Sequence, residues 1–130
     1  MQILIDVNLE GDAELLFAVL VKEGWAELLD LAFVYFPEAA LPADSDDTTV
    51  WRYAQTNGML LLTNNRNDED ETSLTATIRR ENAAASLPVL TVANLSRLKE
   101  FAYRRAVAER IAEILFYLED YLGTGRLFIP

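Results

Sequence analysis

The chain has 130 residues, 52% of them hydrophobic and 25% charged, a composition that predicts a single folded domain over residues 1–130. It contains no cysteine and no histidine, which excludes disulfides, thiolate zinc sites, thiol nucleophiles and serine–histidine or cysteine–histidine catalysis. A net charge of −10 argues against a large basic surface for duplex nucleic acid, so carboxylates remain as the groups for chemistry.

No segment of the sequence has the features of a membrane-directed region. Residues 1–6 lack the basic flank and the small-residue cleavage site of a signal peptide. No apolar run approaches the ~20 residues that a helix needs to span a bilayer. We therefore expect a cytoplasmic protein without a membrane partner.

The first third of the chain predicts two strands joined by a helix. Gln2–Ile5 is an apolar strand, and apolar residues then recur at helical spacing from Leu15 to Leu20. Gly24 is typical of a residue just past a helix end. The continuous apolar run Leu31–Phe36 predicts a second strand that is buried on both faces.

The middle of the chain predicts a short helix followed by a short buried strand. Asp47 is placed to cap this helix, although Asp46 would take that position if the helix began one residue earlier. Asn57-Gly58 ends the helix, and Met59–Leu62 is the predicted third strand.

A second short helix is predicted around Leu74 and Ile78. Its first turn would hold Asp70 and Glu71, since acidic side chains are favoured at the positive end of the helix dipole.

The last third predicts a strand, a long helix and an edge strand. Leu87–Val92 is the fourth strand, Asn94 caps the long helix, Gly123 ends that helix, and Leu127–Ile129 adds the edge strand. This alternation predicts an α/β fold, a three-layer α/β/α sandwich around a mostly parallel sheet of four to five strands.

Oxygen-bearing side chains follow two of the predicted strands. In an open parallel sheet, ligands bind beyond the carboxyl ends of the strands, where Asp6 and Asn65 lie in this prediction. Asp47, at the start of the short helix, is expected to join them. Mg²⁺ prefers such oxygen ligands, and we expect a Mg²⁺ or Mn²⁺ site here. The alternatives are that Asp6 and Asp47 serve only as turn and helix caps.

Three segments together resemble the PIN-like nuclease families: residues 3–9 (ILIDVNL), 47–54 (DTTVWRYA) and 60–68 (LLLTNNRND). The resemblance implies an α/β/α sandwich whose acidic residues bind magnesium or manganese to hydrolyse RNA. By position, Asp6 matches the first-strand aspartate, Asp47 the acidic residue that opens the middle helix, and Asn8 an asparagine that often follows. The third acidic position falls at about Asn65 or Asn67, where this chain has amides that supply an oxygen ligand but no charge.

The candidate residues are of three kinds. The candidate catalytic residues are Asp6, Asp47, Asn65 and Asp68. The candidate metal ligands are Asp6, Asp47, Asn65, Asn67, Asp68 and Asp70. The candidate substrate-binding residues are Asn8 and Arg66, the latter through a fork of donors that fits a phosphate.

Three functions are compatible with these residues. The first is a metal-dependent ribonuclease, a toxin held in check by an antitoxin-like protein partner. The second is a non-catalytic relative that acts as a protein-interaction or regulatory module. The third, a receiver-like or phosphatase-like pocket, is disfavoured because the only lysines are Lys22 and Lys99, and neither follows a late strand.

Two further patterns concern the surface of the last helices. Arginines alternate with glutamates there, which predicts exposed salt-bridged faces, the alternative being an RNA-binding patch. The aromatic residues exceed what one core face needs, so we expect a homodimer. They are Phe101, Tyr103, Phe116, Tyr117 and Tyr121.

Overall fold

The computed structural model describes residues 1–66 and 70–130. Its strands are β1 (Gln2–Ile5), β2 (Ala32–Tyr35), β3 (Met59–Thr63), β4 (Val89–Val92) and β5 (Arg126–Ile129). Its α-helices are α1 (Glu10–Lys22), α2 (Trp25–Leu28), α3 (Asp47–Thr56), α4 (Leu74–Glu81) and α5 (Phe101–Phe116). Short 3-10 turns lie at Val7–Leu9, Leu95–Lys99 and Leu118–Tyr121.

The five strands form one parallel sheet in the order β2-β1-β3-β4-β5. In its register Leu4 of β1 pairs with Val34 and Leu61, and Leu62 of β3 pairs with Leu90. Every residue of the central strand β3 is buried, as expected of a strand covered on both faces. The predicted α/β class and parallel sheet are confirmed.

Helices cover both faces of this sheet and make three layers. One face packs against α1, α2 and α5, and alternate strand residues such as Ile3, Leu60 and Leu90 point into that core. The other face packs against α3 and α4, with Leu4 and Leu61 in a smaller core. The three-layer α/β/α sandwich is therefore present as predicted.

Strand β2 differs from its prediction. It lies at the edge of the sheet and pairs with β1, while Ala32 is exposed and Phe33 and Tyr35 are only half-buried. The prediction of burial on both faces was wrong, because an apolar run alone does not distinguish an edge strand from a central one.

The helix caps on the α3–α4 side also differ from prediction. Asp46, not Asp47, caps α3, since its Oδ1 accepts the Thr49 N–H at 2.8 Å. Ser73 caps α4 through the Ala76 N–H at 3.2 Å, so Asp70 and Glu71 precede that helix. Asp47 thus occupies the first turn of α3 with its carboxylate available for tertiary contacts.

The long C-terminal helix is shorter than predicted at both ends. Asn94 precedes a 3-10 turn and makes no side-chain cap, and α5 begins only at Phe101. It ends at Phe116, before Tyr117 and Tyr121. Gly123 lies past it with φ +82°, and a Cβ there would approach the Ala84 carbonyl oxygen to 2.8 Å. Gly123 is therefore needed for a close backbone crossing rather than for ending the helix.

The charged surfaces match their prediction. Exposed ion pairs link neighbouring residues of the predicted helical faces, namely Arg80–Glu81, Arg97–Glu100, Arg105–Glu109 and Arg110–Glu113. Among the aromatic residues, Tyr103 is buried in the core, whereas Phe101, Phe116 and Tyr117 are exposed. In the described part of the chain, no helix has both the length and the apolar character to cross a bilayer.

Candidate active site at the carboxyl end of the sheet

The structure brings Asp6, Asp47 and Asn65 into one cavity of about 200 Å³. Asp6 directly follows β1, Asp47 opens α3, and Asn65 follows β3, so three separate elements supply these side chains. The remaining lining residues are Val7, Asn8, Phe36, Ala43, Ser45, Val50, Leu61, Thr63 and Leu74. The cavity is polar and lies beyond the carboxyl ends of the strands, where parallel sheets bind their ligands.

Asp6 is held in place by the neighbouring strand. Its backbone N–H donates to the Leu62 carbonyl at 3.0 Å, which continues the β1–β3 pairing by one residue. Its Oδ2 accepts the buried Thr63 hydroxyl at 2.5 Å, and its Oδ1 accepts the Asn8 N–H at 3.5 Å. The Thr63 hydroxyl oxygen also accepts the Asn65 N–H at 3.0 Å. Thr63 thus connects Asp6 to the loop that carries Asn65.

Asp47 joins α3 to the start of α4. Its Oδ2 accepts the Asn65 side-chain amide and the Leu74 backbone N–H, both at 2.9 Å. Burial raises the pKa of the Asp47 carboxyl, the charges of Asp6 and Asp46 raise it further, and the two hydrogen bonds oppose them. A cation entering the cavity would favour the ionised form of this carboxyl.

The donor set of the cavity fits a hard divalent cation. Asp6 and Asp47 supply carboxylate oxygens, and Asn8, Thr63 and Asn65 add amide and hydroxyl groups. Mg²⁺ is commonly held by one or two carboxylates, with waters and substrate phosphates as further ligands. Over residues 1–66 and 70–130 there is no group of three or more histidine, cysteine or acidic residues that could hold a metal. The cavity thus offers two carboxylates, those of Asp6 and Asp47, from the described residues.

Arg126, which sequence reasoning missed, does not line the cavity but holds the backbone of Asn65, which does. From β5 it donates to the Asn65 carbonyl at 2.5 Å, to the Thr91 hydroxyl at 3.0 Å and to the Thr75 hydroxyl at 3.1 Å. Burial lowers the pKa of the Arg126 guanidinium, and the nearby charge of Arg66 lowers it further. The predicted edge strand, Leu127–Ile129, began one residue after Arg126, so no signal in the sequence indicated that the fold would partly bury this charge.

The other predicted site residues are spread more widely. Asn8 is exposed at the rim of the cavity. Arg66 lies away from it, where its guanidinium donates to the Ala93 carbonyl and stacks on the Phe128 ring. Asp70 is exposed outside the cavity and accepts the Thr72 N–H and hydroxyl at 2.9 Å. Asn67 and Asp68 lie outside the described residues.

Comparison with known proteins adds no relative: no protein-family model, curated protein or solved structure matches this chain. The resemblance to the PIN-like nucleases therefore depends on the residues of the three motifs.

Proposed function

We propose that this protein is a Mg²⁺- or Mn²⁺-dependent ribonuclease of PIN-like type. One observation carries the proposal: two carboxylates from separate elements, Asp6 and Asp47, line one polar cavity at the carboxyl end of a parallel sheet. These are the two acidic positions at which the sequence matches the PIN-like pattern.

Asp6 and Asp47 would hold the ion, with Asn65 beside them. When bound, a divalent cation supplies Lewis-acid polarisation of a phosphoryl oxygen and activation of water. Thr63 orients Asp6, while Leu74 and Asn65 orient Asp47. In a chain without histidine or cysteine, a carboxylate is the side chain available to take the proton of the attacking water.

A second candidate function is a catalytically weakened PIN-like domain that acts as a protein-interaction or regulatory module. It is favoured by Asn65, whose side-chain amide donates a hydrogen bond to Asp47. A carboxylate at this position would instead add a third negative charge for the ion. Asp47 also accepts the Leu74 N–H, so both donors act without any ion. In this case the acidic surface would bind a basic protein partner.

The first experiment is cleavage of a fluorescent single-stranded RNA during a manganese titration. We expect metal-dependent cleavage that Asp6→Asn and Asp47→Asn each lower by roughly a hundredfold or more, as for loss of a proton-transfer or ion-binding group. Asp44→Asn is the matched control, because Asp44 is exposed three residues before Asp47 and does not line the cavity. Its activity should equal that of the wild type.

Thermal unfolding with manganese separates the two candidate functions. Stabilisation without cleavage would favour the weakened module, because a ligand that prefers the folded state raises stability by mass action. In that case Asn65→Asp should create cleavage. Asn64→Asp is the control, because it adds the same charge at a position outside the cavity lining. If manganese does not stabilise the protein and no variant cleaves RNA, an ion site between Asp6 and Asp47 is contradicted.

A further inference from the structure

Two arginines approach one aromatic ring of β5 that lies outside the cavity formed by Asp6 and Asp47. The guanidinium carbon of Arg66 lies 5.3 Å from the centroid of the Phe128 ring, and that of Arg126 lies 5.9 Å from the same centroid. Phe128 belongs to the edge strand β5 and is 53% exposed. Arg66 is also exposed, so a ligand can reach this corner of the sheet from solvent.

These two arginines form hydrogen bonds rather than ion pairs in the part of the chain that the structure describes. Within residues 1–66 and 70–130, neither forms an ion pair, whereas Arg52, Arg80 and Arg105 each pair with glutamate. The hydrogen bonds of Arg66 and Arg126 go to neutral carbonyl and hydroxyl oxygens. Two positive charges therefore lie close to the same aromatic ring, and an anion placed there would interact favourably with both.

Asn65 connects the arginine pair to the carboxylate cavity. Its side-chain amide donates to Asp47, and its backbone carbonyl accepts the Arg126 guanidinium at 2.5 Å. A polymer with evenly spaced negative charges could therefore place one phosphate in the cavity and a neighbouring one at the arginines. We infer that Arg66 and Arg126 bind a backbone phosphate of single-stranded RNA next to the phosphate at Asp6 and Asp47. This inference rests on the proposed ribonuclease function.

The chemistry favours a phosphate over the carboxylates of an acidic protein. Guanidinium groups bind phosphate oxygens through paired N–H donors, and both arginines retain N–H groups beyond the bonds described above. A second acidic protein surface would meet the repulsion of a chain with net charge −10. RNA meets the same repulsion, but an ion at Asp6 and Asp47 would offset it locally.

The test is RNA binding, measured by fluorescence anisotropy with a labelled oligouridylate in Ca²⁺, so that an oxygen-ligated ion can occupy the cavity. The length of the oligouridylate is checked after each titration to exclude cleavage. At about 50 mM salt, Arg66→Gln should weaken binding by roughly tenfold and lower the salt slope by about 0.7, the value for one phosphate contact on a single strand. Arg66→Lys should keep that slope while losing part of the affinity, since lysine has no planar fork. Arg126→Lys should behave in the same way.

Arg79→Gln is the matched control. Arg79 is exposed in the last turn of α4, and α4 approaches Asp47 with its first turn. The Arg79→Gln variant should therefore bind RNA like the wild type. An equal loss in Arg79→Gln, wild-type binding by Arg66→Gln, or no binding by the wild type would overturn the inference.

Two further measurements separate this inference from the proposed ribonuclease. RNA binding that depends on Arg66, without metal-dependent cleavage, would support the phosphate site and contradict the ribonuclease. Cleavage that Arg66→Gln leaves unchanged in rate and apparent affinity would contradict the phosphate site alone. Inorganic phosphate should compete with the oligouridylate; binding of inorganic phosphate without RNA binding would overturn the assignment to RNA.

Discussion

The two faces of the sheet differ in what they bury. Against α1 and α5 the core is continuous and apolar, and Ile3, Leu60 and Ile111 are fully buried there. Against α3 and α4 the apolar core is smaller, contains the hydroxyl pair Thr48–Thr77, and borders the cavity of Asp6 and Asp47. The first face contributes most of the hydrophobic stabilisation, and the second accommodates polar groups that carry the candidate chemistry.

The largest expected loss of stability comes from a cavity created in the core between the sheet and helices α1 and α5. Ile111→Ala should lower the free energy of unfolding by about 3 kcal/mol, because Ile111 is fully buried and the space it leaves is not refilled. Urea denaturation measures the change. Leu15→Ala, on an α1 residue that is 49% exposed, should cost less than about 1 kcal/mol. Equal losses in the two variants would contradict the assignment of Ile111 to the main core.

A smaller effect is expected from the hydroxyl pair between α3 and α4. The Thr48 and Thr77 hydroxyl oxygens lie 2.6 Å apart and both residues are buried. Thr77→Val should cost about 1–2 kcal/mol, since it leaves the Thr48 hydroxyl without this partner. The double variant Thr48→Val/Thr77→Val should cost less than the sum of the two single changes. Additive losses in a double-mutant cycle would show that the hydroxyls do not interact.

The smallest effect is a pH dependence at Asp47. Its pKa in the folded protein is raised above the ordinary 3.8, mainly by burial, so the folded state keeps a proton that the unfolded state has released. Ionisation of Asp47 therefore lowers stability as pH rises from 3.8 through the folded pKa.

The Asp47→Asn side chain cannot ionise. The quantity to measure is therefore the difference in the free energy of unfolding between Asp47→Asn and the wild type. Urea denaturation across this pH window should show that relative stability rising with pH and then levelling off. Asp44→Asn, at an exposed residue of the loop before α3, is the matched control for the removal of one carboxylate. A relative stability of Asp47→Asn that stays constant or falls would contradict a raised pKa.

Much of the fold could be predicted because its signals are local. Apolar runs and helical spacing identify the five strands and the helices α1, α3, α4 and α5, whereas the short helix α2 was not predicted. Asp6 and Asp47 are placed by the ends of the predicted elements. The cap of α3 was misplaced by one residue, because Asp46 and Asp47 are both good capping residues and the hydrogen bond to Thr49 decides between them.

The features that could not be predicted depend on tertiary contacts. The exposure of β2 follows from its place at the sheet edge, which an apolar run does not reveal. Arg126 acquires its role only when β5 pairs with β4 and brings the guanidinium to Asn65 and Thr91. Its sequence neighbours, Gly125 and Leu127, predict none of these contacts.

The hydrogen bond from Arg126 to the Asn65 carbonyl has a consequence for the order of events during synthesis. Asp6, Asp47 and Asn65 are synthesised before β5, and a domain generally folds as one unit. A nascent chain that ends before β5 lacks the hydrogen bond from Arg126 to the Asn65 carbonyl. If the protein has the ribonuclease activity proposed above, we expect a chain without β5 to cleave RNA less than the full chain does.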